Sequence, residues 1–165
     1  MTRSESSKSV ALVTVAAAAT LLLIQACGDR AVAQAADADP VEGSWEALIT
    51  VRDCSTSATI LTARGQQVFH RGGTVTDTNA SPPSTRGVGF GSWRRDATAR
   101  SYTARFRFNR YNPDGSFAGT QRVTRVFTLS EDGNLQTSTN TSQTLDAAGT
   151  VLQNGCASDV STRVP

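Results

Sequence analysis

The chain is poor in the side chains from which most catalytic and metal sites are assembled. It has one histidine and three cysteines in 165 residues, and these form no cluster with the spacing of a metal site. Neither a Gly-x-Ser-x-Gly elbow nor a glycine-rich phosphate loop is present. We therefore expect no metal ion, no cofactor and no assigned catalytic residues. Acid-base chemistry would have to draw on His70, Glu46, Asp53 or Asp77.

Aromatic residues are scarce, at 6%, and hydrophobic residues together make up 38% of the chain. This composition supports a small core rather than a large one, and 165 residues fit one domain. The formal net charge of +2 is close to neutral, so any strongly charged surface must arise from local clustering.

The first part of the chain has the features of an export signal. Arg3 and Lys8 precede an uncharged apolar run over residues 10–24, which is followed by small residues. The run is shorter than the roughly 20 apolar residues needed to span a membrane. Residues 1–26 are therefore predicted to be a signal peptide that takes no part in the fold.

The sequence Leu23-Ile24-Gln25-Ala26-Cys27 resembles the bacterial lipoprotein box, in which the cysteine becomes the acylated first residue. Gln25 departs from the small residue usual at its position. The resemblance implies a lipid anchor at Cys27, a flexible tether over residues 27–40, and a place in the cell envelope, either periplasmic or on the cell surface. Cleavage after Ala33 is the alternative and would release a secreted protein.

Residues 41–165 show no helical period of useful length. Runs of β-branched and aromatic residues alternate instead with turn signals, and three of these recur at nearly even spacing around residues 113–115, 131–133 and 146–149. The pattern predicts an all-β domain of about eight antiparallel strands in up-and-down order. Closing this meander into a barrel removes the exposed edges of a flat sheet.

The cysteines indicate how the barrel would close. If Cys27 is acylated, Cys54 and Cys156 remain as an even pair in an oxidising compartment. Cys54 ends the first predicted strand and Cys156 lies in the last, so closure would make them neighbours. A disulfide between them would contribute about 4–5 kcal/mol in the chain-entropy model. Two separately buried thiols are the alternative.

Gly43-Ser44-Trp45 on the first strand, the eight-stranded meander, and Arg163 near the end of the last strand resemble the lipocalin and calycin superfamily. The resemblance implies that Trp45 plugs one barrel end and that Arg163 stacks over it. The helix that lipocalins place beside the barrel is not evident here. The chain is also similar, more broadly, to small bacterial secreted proteins with a Gly-x-Trp start, a Phe-His-Arg-Gly-Gly turn and a late Gly-Cys; these bring no known activity.

The fifth predicted strand, residues 101–111, separates aromatic from basic side chains. Phe106 and Phe108 share one face, and Arg105 and Arg107 share the other. A nucleic-acid surface needs stacking and phosphate-binding groups on the same side, and export removes most nucleic acid from reach. We therefore expect no nucleic-acid partner.

Residues 94–125 hold eight arginines against Asp96 and Asp114. This basic segment could contact anionic envelope polymers or lipid headgroups. The alternative is that the arginines only keep a sheet edge soluble.

Arg125 falls on the same face of the sixth strand as Val123, Phe127 and Leu129. The resemblance to calycins that bind fatty acids implies that an inward basic residue holds the ligand carboxylate, and Arg125 is the candidate for this role. An inward arginine is costly unless it is paired, so the favoured interpretation is a β-bulge that turns Arg125 outward.

The seventh strand is predicted to place a hydroxyl-rich face inside the barrel, formed by Leu135, Thr137, Thr139, Thr141, Gln143 and Leu145. A tightly filled barrel without a cavity is the alternative. We interpret the protein as an exported binding module for a small amphiphilic or hydrophobic ligand, and the candidate ligand-binding residues are Arg125, Phe90, Phe106, Phe108 and Phe127. The alternatives are a ligand-free structural or interaction protein of the cell envelope and a barrel isomerase or cyclase.

Overall fold

The computed structural model describes residues 37–98 and 100–165. The predicted signal peptide and the lipidation site at Cys27 lie outside these residues. The predicted tether ends at residue 40, but its last residues already contact the barrel. The Tyr102 hydroxyl donates to Asp39 Oδ1 at 2.7 Å, and Arg163 donates to the Pro40 carbonyl.

The described residues contain no helix and form one closed barrel of antiparallel strands. Each strand pairs with its neighbours in the chain, and the first pairs with the last, which confirms the predicted up-and-down barrel. The strands are β1 (Gly43–Arg52), β2 (Thr59–His70), β3 (Thr74–Asn79), β4 (Gly89–Arg95), β5 (Ser101–Tyr111), β6 (Phe117–Leu129), β7 (Leu135–Leu145) and β8 (Val151–Arg163).

Strand β5 has the predicted bounds and the predicted alternation. Its inward side chains Phe106 and Phe108 are buried, whereas Arg105 and Arg107 are exposed on the outer face. Successive side chains of a strand point to opposite faces. The aromatic residues of β5 therefore supply the interior and its arginines supply the outer wall.

Trp45 closes one end of the barrel. Its indole is 1% exposed, and Nε1 donates to the Val41 carbonyl at 2.9 Å. The Arg163 guanidinium carbon lies 4.4 Å from the centre of the Trp45 ring, a cation–π contact of about 0.5–2 kcal/mol. Arg163 also donates to the Glu42 carbonyl at 2.9 Å. Arg163 thus lies over the buried Trp45 ring at this end of the barrel.

The hydrophobic core fills the same end, which we call the closed end. Phe69 and Phe127 have ring centres 5.3 Å apart, and Tyr102 stacks on Phe127 at the same distance. The connections between β2 and β3, β4 and β5, and β6 and β7 lie here. The opposite end, which we call the open end, carries the connections between β1 and β2, β3 and β4, β5 and β6, and β7 and β8.

Cys54 and Cys156 form the predicted disulfide, with Cα atoms 5.2 Å apart. The bridge ties the turn after β1 to β8, next to the pairing of Arg52 with Cys156. Because the two cysteines are separated by 102 residues, the cross-link removes about 4–5 kcal/mol of loop entropy from the unfolded chain.

The structure corrects the expected β-bulge at Arg125. The pairing of β6 is continuous there, since Arg125 lies opposite Ala104 on one side and Asn140 on the other. The register shift between β5 and β6 occurs instead between Arg110 and Tyr111. Arg125 therefore keeps the phase of Phe127 and points into the barrel, where it is 1% exposed.

The expected inward face of β7 is also wrong. Gln136 and Asn140 are buried, whereas Thr137, Thr139 and Thr141 are exposed. A register shift between Thr144 and Leu145 brings Leu145 inward although its neighbours follow the opposite phase. The interior side of β7 is thus lined by amides and serines rather than by threonines.

Phe90 was expected among the interior residues, but it lies on the outer face of β4 and is 64% exposed. Its neighbour Gly91 faces inward, where a Cβ atom would lie 1.9 Å from the Arg105 carbonyl oxygen. Only glycine permits this close approach of β4 to β5. The glycines of β4 therefore form a barrel corner at this point.

Candidate functional site

The half of the barrel towards the open end contains a cavity of about 350 Å³. Its volume falls within the range of small-molecule sites. Leu61, Ser81 and Gln153 border it and are exposed, so the cavity reaches solvent at the open end. Its wall is mainly apolar and includes Ile49, Val51, Ala63, Phe106, Phe108 and Val123.

An ion pair between Arg125 and Asp159 forms the polar floor of this cavity. Arg125 Nε lies 3.0 Å from Asp159 Oδ2, and Nη2 lies 2.5 Å from Oδ1. The same guanidinium donates to Gln136 Oε1 at 2.8 Å and to Ser161 Oγ at 3.1 Å. Its carbon lies 4.3 Å from the centre of the Phe127 ring. The pair therefore separates the aromatic core of the closed end from the cavity.

Asp159 accepts further hydrogen bonds, from Asn140 Nδ2 at 2.7 Å and from the hydroxyls of Ser138 and Ser161. Burial acts to raise the pKa of Asp159, but the charge of Arg125 and these hydrogen bonds outweigh it and hold the pKa below its usual value. Asp159 is thus ionised at neutral pH. Its charge neutralises Arg125, which is why a buried arginine is tolerated here.

Asp77 and Arg86 form a second buried ion pair on the cavity wall. Gln67 Nε2 donates to Asp77 Oδ2 at 3.0 Å, and the Arg86 guanidinium stacks on the Phe108 ring at 3.8 Å. Burial raises the pKa of Asp77, and the attraction of Arg86 offsets this only in part. The two carboxylates that face the cavity therefore have pKa values shifted in opposite directions.

Two buried polar atoms beside Asp77 have no hydrogen-bond partner in the described protein: Gln67 Oε1, an acceptor, and Arg86 Nε, a donor. Both residues line the cavity. A buried polar atom without a partner costs about 1–3 kcal/mol. A molecule that both accepts and donates hydrogen bonds could recover this energy by binding here.

The structure brings some of the predicted ligand-binding residues together and separates others. Arg125, Phe106 and Phe108 line the cavity. Phe127 lies beyond the floor, packed against Phe69 in the core. Phe90 is on the outer wall, so it does not line the interior site.

Among the four acid-base candidates, only Asp77 faces the cavity. His70 is exposed at the closed end, with Nε2 3.0 Å from Thr76 Oγ1. Glu46 is exposed on the outer face, and Asp53 accepts backbone hydrogen bonds within its own turn. In the part of the chain that the structure describes, no three or more His, Cys, Asp or Glu residues are grouped as a metal site.

Sequence reasoning missed Asp159, Arg86 and the cavity-facing position of Asp77. A signal for Asp77 exists, because it shares the inward phase of Val75 in β3. Asp159 shares its phase with Ser161 in β8, but Leu152 and Val160 lie on the opposite phase, so the hydrophobic pattern does not mark the phase of Asp159 as inward. The inward placement of Arg125 was itself the best signal, since a buried arginine requires an acidic partner.

No family model matches the chain, and no curated protein matches it. Within residues 37–98 and 100–165, no helix has the length and apolar character to cross a membrane. The functional argument therefore rests on the geometry of the cavity and on its surroundings.

Proposed function

We propose that the protein is an exported binding module that holds one small amphiphilic molecule without net charge in its barrel cavity. The observation that carries the proposal is a cavity of about 350 Å³ with an apolar wall and a floor of paired charges. Small-molecule sites typically combine apolar lining with a few convergent polar groups. The resemblance to the lipocalin and calycin superfamily supports the same function.

The pairing of the buried charges argues for an uncharged ligand. Arg125 makes hydrogen bonds to Asp159, Gln136 and Ser161, and Arg86 is paired with Asp77. A ligand carboxylate would add an unpaired charge to a buried site, at a cost of several kcal/mol. The proposed role of Arg125 is therefore to hold the floor together, in place of anchoring a carboxylate.

The polar end of the ligand is best placed beside Gln67 and Arg86. A hydroxyl group both donates and accepts hydrogen bonds, so it can satisfy Gln67 Oε1 and Arg86 Nε at once. The apolar part then lies against Phe106, Phe108 and Val123. An alcohol or a similar neutral amphiphile is the ligand class that this arrangement favours.

Native mass spectrometry of the mature protein, purified from the envelope of its own cells, tests the proposal. We expect a bound mass that denaturation releases. Ala63→Phe fills the cavity from β2 and should abolish the bound mass, whereas Thr62→Phe, at the adjacent exposed position, should retain it. Equal binding by the two variants, or no bound mass in the wild type, would contradict the proposal. The second result would favour a ligand-free structural or interaction protein.

The proposed location is the cell envelope, with a lipid anchor at Cys27. The disulfide between Cys54 and Cys156 is compatible with export. Radiolabelled palmitate should label the wild-type protein and fail to label Cys27→Ala. Equal labelling of both proteins would argue against the anchor, and release of the wild type into the medium would favour cleavage after Ala33.

A second candidate function is that of a barrel isomerase or cyclase. It is favoured by Asp77, a cavity-lining carboxylate whose pKa is raised by burial, since carboxyl groups with raised pKa values serve as general acids and bases in enzymes. Conversion of a bound molecule that is lost in Asp77→Asn, with binding retained, would identify this activity. If the bound molecule is recovered from the wild type without chemical change, the protein does not act as an isomerase or cyclase on that molecule.

A further inference from the structure

Exposed apolar side chains gather around the open end of the barrel. Ile60 is 61% exposed and Leu152 is 63% exposed, and each connection at this end contributes at least one such residue. We call this set the apolar rim; it consists of Ile60, Leu61, Val88, Phe117, Val151 and Leu152. Single exposed apolar residues are common on soluble proteins. A set that surrounds one opening is characteristic of an interaction surface.

The closed end differs from the open end. Leu135 and Val164 are the large apolar side chains exposed there among the described residues, and both are less exposed than any residue of the apolar rim. The polar turns of the closed end are held by hydrogen bonds. In one of them, Arg100 Nη1 donates to the Ser130 carbonyl at 2.9 Å. The two ends of the barrel therefore differ, and the exposed apolar side chains of the open end surround the mouth of the cavity. Four others are exposed on the wall between the ends: Leu48, Phe90, Val126 and Val160.

Arginines without acidic partners lie on the outer wall next to this rim. Arg107 of β5 is paired in register with Phe90 of β4 and with Arg122 of β6. Together with Arg105, these residues line an outer groove of about 710 Å³. None of the three arginines forms an ion pair within residues 37–98 and 100–165.

Two other arginines of the basic segment are paired with acidic residues. Arg94 lies 3.5 Å from Asp96, and Arg95 lies 3.7 Å from Asp39, both at the closed end. Arg100, also at the closed end, forms no ion pair within residues 37–98 and 100–165. The larger group of arginines without an acidic partner lies on the β5 and β6 wall, beneath the exposed aromatic ring of Phe117. Arg107 and Arg122 lie four to five residues from the ends of their strands, or about 10–13 Å below the rim along tilted strands.

We propose that the open end docks on an anionic lipid bilayer. The apolar rim enters the boundary between headgroups and acyl chains, which amphipathic surfaces penetrate by about 5–10 Å. Arg107 and Arg122 then lie at the level of the lipid phosphates, where their long side chains can reach the charged groups. The charge complementarity between these arginines and anionic headgroups selects a membrane as the partner of this surface.

The acidic residues of the open end are compatible with this orientation. Asp114 accepts hydrogen bonds from the backbone N–H and the hydroxyl of Ser116 at 2.9 and 2.7 Å, and Asp146 accepts one from the Thr150 N–H at 2.8 Å. Asp53, in the connection between β1 and β2, accepts from the Ser55 and Thr56 N–H groups at 2.9 and 2.8 Å. Because all three carboxylates are hydrogen-bonded within their own turns, the cost of bringing them to the membrane surface is reduced. Docking would place the mouth of the cavity against the lipid, where a ligand could enter from the membrane. Only this consequence rests on the proposed function, because it requires that the cavity binds a ligand.

Depth-dependent quenching tests the docking in the full exported protein. Phe117→Trp places a fluorophore in the apolar rim, and Leu135→Trp places one at the closed end as the matched control. With vesicles of phosphatidylglycerol and phosphatidylcholine that carry brominated acyl chains, we expect quenching of the first and none of the second. Leu152→Trp is the substitute at the rim if Phe117→Trp does not fold.

Charge removal tests the orientation. Arg107→Gln with Arg122→Gln should weaken binding to the anionic vesicles about thirtyfold, since each basic residue near such a surface contributes a factor of about five. Arg71→Gln with Arg94→Gln removes the same charge at the closed end and should leave binding within about twofold. High salt should weaken wild-type binding.

Three outcomes would overturn the docking. These are quenching at the closed end alone, an absence of quenching at both sites, and concentration-dependent self-association without lipid, which would assign the rim to a second copy of the chain. The bound mass in native mass spectrometry should be the same in Arg107→Gln/Arg122→Gln as in the wild type. Failure of the docking and failure of the ligand-binding proposal are thereby distinguished.

Discussion

Arg125 of β6 and Asp159 of β8 lie on either side of β7 and are joined by two hydrogen bonds of 3.0 and 2.5 Å. The two side chains are almost completely buried, and they lie between the aromatic core and the cavity. Neither charge would be tolerated alone in this position. The pair therefore determines both the stability of the barrel and the kind of ligand that its cavity can accept.

Asp159→Asn should destabilise the fold by about 3–5 kcal/mol, because it leaves the buried charge of Arg125 without a counter-ion. Arg125→Met combined with Asp159→Leu removes both charges and fills similar volume, so it should cost much less than the single substitution. Urea unfolding with the disulfide intact gives these free energies. A double variant that is less stable than Asp159→Asn would contradict the ion-pair explanation.

The two buried carboxylates, Asp159 and Asp77, should contribute to the free energy of unfolding with opposite pH dependence. The pKa of Asp159 is lower in the folded protein than the unfolded value of about 3.9. Its stabilising contribution is therefore complete above pH ~4 and is lost as the pH falls through the folded pKa. The stability difference between the wild type and Asp159→Asn should shrink in acid.

For Asp77 the pKa is higher in the folded protein because of burial. Its contribution is therefore complete below pH ~4 and is lost as the pH rises through the folded pKa. The stability difference between the wild type and Asp77→Asn should shrink as the pH rises. Urea midpoints of the three proteins between pH 3 and 8 measure both effects, and equal slopes for the two variants would be inconsistent with the opposite shifts.

Closure of the barrel by the disulfide leads to a separate prediction. Cys54→Ser with Cys156→Ser should lower the free energy of unfolding by up to about 4–5 kcal/mol, because the cross-link spans 102 residues. Alkylation of the denatured wild type without reductant should modify neither cysteine, and reduction should expose both. Modification of both before reduction would show that the bridge is absent in solution.

The closing contacts of this barrel were predictable because they depend on strong local signals. Trp45 lies near the start of β1 and Cys54 lies just after its end, whereas Cys156 and Arg163 both lie on β8. A meander that closes must bring these two strands together. The strand order alone was therefore enough to predict that these residues would be neighbours. The structure confirms the disulfide between Cys54 and Cys156, and the Arg163 guanidinium carbon lies 4.4 Å from the centre of the Trp45 ring.

The polar interior was not predictable in the same way. On β7 both faces are polar, and the register shift before Leu145 reverses the phase that its terminal leucines indicate. Without a hydrophobic face, the orientation of a strand is decided by its neighbours, here by the need to surround Asp159 with Asn140 and Ser138. The partner of Arg125 lies on another strand, 34 residues away, and no local pattern identifies it.

The paired charges predict the ligand preference of the cavity. A long-chain alcohol should displace a neutral fluorescent probe at least tenfold more effectively than the carboxylate of the same length at pH 7, because the carboxylate adds an unpaired buried charge. The preference should diminish near pH 4, where the ligand carboxylate becomes protonated. Asp159→Asn frees Arg125 from its counter-ion, so this variant should bind the carboxylate better than the wild type does. Asp132→Asn, on an exposed turn, should leave the preference unchanged. A wild-type protein that prefers the carboxylate would show that Arg125 is available to the ligand despite its bonds to Asp159.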